Sequence, residues 1–127
     1  MITDGFVSGT AERLTAILTE LQQQPEVKTV VLCTADGLTV NGQTTNMGHI
    51  SAVGGFLLSA AHLSSSILGH KHCQEVTVQL ADNALLVCWP FMAAKTELIL
   101  TVLFEGKPSY KRLLAQIVRE IQQALEE

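Results

Sequence analysis

The chain has 127 residues and a mass of 13.7 kDa, room for one domain and one hydrophobic core, which excludes a catalytic domain joined to a separate partner module. Apolar residues make up 47% and charged residues 16%, with a mean hydropathy of +0.30, so the chain is too apolar to be disordered. A net charge of −4 and an isoelectric point near 5.5 remove the attraction behind nonspecific nucleic-acid affinity, and no DNA or RNA partner is expected.

Three cysteines, Cys33, Cys73 and Cys88, are an odd number, and Cys33 and Cys88 sit in apolar runs where a thiol behaves as a small hydrophobe. Met1 to Phe6 carry Asp4 where a secretory signal would be basic and then apolar. A reduced, cytoplasmic protein is the expectation.

Leu14, Ile17, Leu18 and Leu21 fall at i, i+3, i+4 and i+7, which predicts an amphipathic helix over about Thr10 to Gln23, stopped by Pro25. Val27 to Cys33 reads as a strand, and its unbroken Val30-Val31-Leu32-Cys33 run predicts burial on both faces and a central position. Asp36-Gly37 marks a hairpin turn into a short return strand, Leu38 to Asn41. After a long helical segment the logic repeats: Glu75 to Leu80 alternates, Asp82-Asn83 turns, and Ala84 to Trp89 returns. A connection through Pro90 and Lys95 leads to a fifth strand, Thr96 to Phe104, with Leu98, Leu100, Val102 and Phe104 on one face. Pro108 is placed in the first turn of a closing helix whose apolar stripe is Tyr110, Leu113, Leu114, Ile117, Ile121 and Leu125. If the two hairpins join through the first and fifth strands, the antiparallel order is 2-1-5-4-3, with Glu75 to Leu80 an edge strand lacking the usual charges and prolines that block pairing.

The most informative segment is Gly37 to His70, 34 consecutive residues without Asp, Glu, Lys or Arg. Within it Ile50 to Leu68 has helical period. Ile50, Val53, Phe56, Leu57, Ala60, Leu63, Ile67 and Leu68 fill one broad face, expected to cover the sheet. The other arc holds Ser51, Gly55, Ser59, His62 and Ser66, small and uncharged where a surface helix carries Glu and Lys. A membrane span is disfavoured because Ile50 to Gly69 contains five Ser, three Gly and one His among twenty residues. Two readings remain: a buried core helix whose second face is small and polar, or a face that lets an identical helix of a second subunit approach closely. The second reading makes Ser51, Gly55, Ser59, His62 and Ser66, with the edge-strand residues Val76, Val78 and Leu80, the predicted dimer or partner interface. Gly55→Glu or Ser59→Glu would then weaken association.

Catalytic and metal motifs are weak. His70-Lys71-His72-Cys73 offers three donors within four residues but no second paired motif, so it reads as a polar connection, and no metal or cofactor is expected. Cys73 with a neighbouring His lacks a third orienting group and an oxyanion loop. Asp36 and Asp82 read as turn residues, Trp89 and Phe91 as core or rim aromatics. Six aromatic residues and no visible convergence of polar groups argue against a specific small-ligand pocket, although a ligand sensor stays open as an alternative.

The order helix, two strands, uncharged helix, three strands, helix resembles the roadblock / dynein light chain family. The local matches are Val-Val-Leu-Cys-Thr-Ala-Asp-Gly-Leu at 30 to 38, Leu-Leu-Ser-Ala-Ala-His-Leu at 57 to 63 and Ala-Leu-Leu-Val at 84 to 87. The resemblance implies one α+β domain over residues 1–127, a profilin-like α/β/α arrangement with the central helix on one face and the terminal helices on the other. It also implies a noncatalytic homodimer, paired through the central helix and third strand, that binds a Ras-like small GTPase as activator or scaffold. An adaptor without a GTPase is the other reading. The central helix departs from the family pattern, carrying His62 and Ser64-Ser65-Ser66 in place of charges. The chain is not itself such a GTPase: no Gly-x-x-x-x-Gly-Lys-Ser/Thr loop occurs, and Gly106-Lys107 is followed by Pro108. Its only arginines, Arg13, Arg112 and Arg119, lie on the first and last helices, so activation through the central helix would have to act by reshaping the partner's own switch loops.

Overall fold

The computed structural model describes residues 2–42, 46–106 and 108–126, with side chains described from Gly9 onward. In chain order the elements are α1 (Ile2–Gln22), β1 (Val27–Thr34), β2 (Thr39–Gly42), α2 (Met47–Ile67), β3 (Val76–Leu80), β4 (Ala84–Ala93), β5 (Thr96–Glu105) and α3 (Lys111–Glu126). One five-stranded sheet forms in the order β2-β1-β5-β4-β3, every pair antiparallel. This is the order that joining the hairpins through β1 and β5 requires, with Val30 opposite Val102 and Leu32 opposite Leu100.

Alternation along β1 divides the core into two layers. Val30 and Leu32 point to one side, where Leu14, Leu18 and Leu21 of α1 meet Leu114, Ile117 and Ile121 of α3 over Leu98, Leu100, Val102 and Phe104. Val31 and Cys33 point to the other, where with Cys88 and Ile99 they receive Leu58 of α2. All four β1 residues are fully buried, as the unbroken apolar run predicts. The terminal helices therefore share one face and α2 has the opposite one.

Three boundaries differ from the sequence expectation. Helix α1 begins at Ile2, because Gly5 and Gly9 interrupt the apolar period without ending the helix. Strand β4 runs on through Pro90 to Ala93, with Pro90 opposite Ile99. Proline is tolerated there because β3 begins only at Val76, opposite Cys88, so from Trp89 onward β4 is an edge strand on that side. Helix α3 starts at Lys111, leaving Pro108 ahead of it, and the Tyr110 ring stacks on Phe104 with centroids 5.4 Å apart.

Candidate functional site

Helix α2 presents to the sheet the opposite face from the one its hydropathy predicts. Its buried residues are Ser51, Gly54, Gly55 and Leu58, spaced i, i+3, i+4 and i+7. The Ser51 hydroxyl is fully buried and shares a 2.7 Å hydrogen bond with Thr39 Oγ1 of β2. A Cβ on Gly55 would fall 2.9 Å from both Cα and N of Gly37, and one on Gly54 would fall 2.8 Å from Thr101 Oγ1. The glycine pair thus lets the helix backbone lie directly on the β1–β2 turn and on β5. That turn is held by Gly37, at φ +90°, whose N–H donates to Thr34 O at 3.0 Å.

Ser51 and Gly55 are therefore corrected: they belong to the helix–sheet contact and present nothing to a second molecule. Gly55→Glu is accordingly expected to break the fold and not merely an interface. Ser59 and Ser66 lie exposed, and His62 is half-buried, with Nε2 3.2 Å from Glu97 Oε2 at the start of β5. Val76, Val78 and Leu80 lie on the α2 side of the edge strand β3, partly open.

The apolar face of α2 is what remains uncovered. Phe56 is 71% exposed, Leu63 64% and Ile67 75%, and Val53 and Ala60 continue the strip at helical spacing. Of the residues expected on the sheet, only Ile50 and Leu57 pack against it in part. By length and composition α2 could cross a bilayer. Exposed contiguous apolar surface of this kind marks an interaction site.

At the α2–sheet contact Cys33 and Cys88 are both buried, which disfavours their thiolates. Burial pushes both Cys33 and Cys88 up, Cys88 to about 11, while the Thr101 hydroxyl opposes the rise in each. Among the described residues, no group of His, Cys, Asp and Glu is placed to hold a metal ion.

A second constellation, which the sequence reading missed, gathers at the end of the sheet where β3 begins. Tyr110 OH donates to Glu75 Oε2 at 2.5 Å, Thr77 Oγ1 donates to the same oxygen at 2.9 Å, and Lys111 Nζ stands 3.5 Å from Oε1. Burial alone would raise the Glu75 carboxyl, but these donors outweigh it and hold the group below the usual carboxylate range. Burial, and then the adjoining carboxylate, push the Tyr110 phenol up. Glu75 and Tyr110 are 35 apart in sequence, so no local motif could have announced the contact.

No family model and no curated protein matches the sequence. Solved structures do match. A Roadblock/LC7 domain from Streptomyces avermitilis superimposes with a TM-score of 0.66 over 87% of this chain and 90% of its own, at 22% identity. The gliding protein MglB from Thermus thermophilus gives 0.74 over 91% and 90%, at 15% identity. A structure described as MglB with tetrameric arrangement gives 0.75 over the same shares, at 13% identity. The chain has the Roadblock/LC7 fold. Identities this low establish architecture alone; in this chain α2 and Val76 of the edge strand β3 lie on the same side of the sheet.

Proposed function

We propose that this protein is a noncatalytic, cytoplasmic homodimer of the roadblock type that regulates a Ras-like small GTPase. The observation that carries the dimer is the uncovered strip Val53, Phe56, Ala60, Leu63 and Ile67. A second copy suits it better than lipid. The strip lies on the same side of the sheet as Val76, Val78 and Leu80 of β3, an edge strand of strict alternation with no proline, so a two-fold axis at that edge would pair strand with strand and helix with helix. The interface residues on α2 are thus Phe56, Leu63 and Ile67, flanked by Ser59 and Ser66.

The GTPase role rests on the family resemblance together with the shared fold. In the test, a Ras-like GTPase from the same genome, loaded with a non-hydrolysable GTP analogue, is expected to co-elute with the dimer. Absence of any complex, with the dimer intact, would leave an adaptor without a GTPase. If hydrolysis is accelerated, Arg13→Ala and Arg112→Ala should each reduce it by less than about a hundredfold, because α1 and α3 lie across the sheet from α2, whereas an arginine finger contributes more. A larger loss would move the partner to the α1–α3 face. Recovery of the purified chain with vesicles, and not in free solution, would assign the strip to a membrane.

A further inference from the structure

An open cleft of about 540 Å³ lies where β4 runs past the end of β3, and its size is that of a small-molecule site. Trp89, Phe91 and Met92 of β4 line it where that strand is an open edge, Trp89 and Phe91 from the α1–α3 side of the sheet and Met92 from the α2 side. Glu75 and Lys111 line it on the α3 side, and Glu97 lines it on the α2 side, beside His62. Two carboxylates against one ammonium make the lining acidic, and the Trp89 ring in the same cleft favours an organic cation over an anion or a neutral molecule.

We propose that the cleft binds a linear aliphatic amine with at least two positive charges, a diamine or polyamine, its methylenes on Trp89 and its ammonium groups on Glu75 and Glu97. The geometry around Glu75 shows how one end is held. Tyr110 and Thr77 occupy Oε2 and fix the carboxylate, which leaves Oε1 directed to an ammonium, and the Lys111 ammonium already stands 3.5 Å from it. Lys111 is 74% exposed, so its side chain can swing outward and yield the place to a ligand. At the other end Glu97 Oε2 faces His62 Nε2, which orients the carboxylate from α2. His72 and Cys73, in the connection ahead of β3, border the same opening.

Trp89 is the only tryptophan of the chain, so its fluorescence reports on the cleft directly. Titration of the full chain with spermidine at low ionic strength is expected to give a saturable change in emission. Glu97→Gln should weaken it about tenfold through loss of one charge-assisted contact. Glu75→Gln should do the same, with far-UV circular dichroism confirming that α3 stays docked. A saturable response to inorganic phosphate and none to spermidine would overturn the proposal, as would an undiminished response in folded Glu97→Gln. An equal response to Mg²⁺ would reduce the effect to charge screening, and equal binding of capped lysine would remove the need for two carboxylates. Either result, or no saturable response at all, also refutes it.

Discussion

Replacing Gly55 by alanine separates the two orientations of α2, because a helix exposing this residue would gain stability and a helix burying it would lose stability. The gain in helix propensity is about 1 kcal/mol. Against it, the new methyl group would sit 2.9 Å from Cα and N of Gly37 and 3.2 Å from Ala35 O, all backbone atoms that no change of rotamer can move. Helix and turn must separate, an overpacking that costs about 1 to 3 kcal/mol, and contacts this short put it in the upper half of that range. The net effect is a loss of about 1 to 2 kcal/mol. Gly9 in α1, where an added Cβ meets nothing within 4 Å, provides the control and should gain about 1 kcal/mol on the same substitution. Urea unfolding at a fixed protein concentration measures both, and the two variants should differ by about 2 to 3 kcal/mol with unchanged m. Equal stabilisation in Gly9→Ala and Gly55→Ala would refute the packing of the small face on the sheet.

Other expectations follow from the turn and the ion cluster. Ala94 and Lys95 both hold positive φ, +49° and +66°, in the tight β4–β5 turn, so Lys95→Gly should raise stability by about 1 kcal/mol in thermal or urea unfolding. The Glu75 carboxyl is held below its unfolded value, so its contribution is present above about pH 4.3 and is lost as the pH falls through the lower folded value. Unfolding free energies measured from neutral pH down to about pH 3 should show this loss in the wild type and lack it in Glu75→Gln. Tyr110 is shifted the other way, so its contribution holds below about pH 10 and declines as the pH rises through its raised folded value, a decline that Tyr110→Phe should remove.

The two hairpins and the two-sided burial of β1 were legible because each depends on alternation and turn chemistry within a short window, whereas the strand order needed an assumed join of β1 to β5 and the layer assignment came from the family resemblance. The hairpin at Asp36-Gly37 and the apolar run at Val30 to Cys33 sufficed to place β1 centrally, and the second hairpin set the far edge. The facing of α2 was not legible from hydropathy. Hydropathy assigns Phe56, Leu63 and Ile67 to a core, yet close approach of a helix backbone to a sheet selects small residues, and Ser51, Gly54, Gly55 and Leu58 meet that need. Their i, i+3, i+4, i+7 spacing was the available signal, since a glycine pair inside a stripe of that period marks the contact side. Glu75, Tyr110, Lys111, His62 and Glu97 converge only through tertiary structure, joining the start of β3 to α3 and α2 to β5. Pro90 concealed the extension of β4 because proline normally ends a strand, and only the start of β3 at Val76, opposite Cys88, leaves that stretch an edge.

Multi-angle light scattering of the wild-type chain beside Phe56→Glu tests directly whether the apolar face of α2 is covered by a second copy. The wild type should have twice the 13.7 kDa chain mass at micromolar concentration, and Phe56→Glu, which places a charge on a residue 71% exposed in the single chain, should fold normally and run as the single chain. A wild type that stays at 13.7 kDa up to high concentration, or a Phe56→Glu variant with undiminished dimer mass, would contradict it.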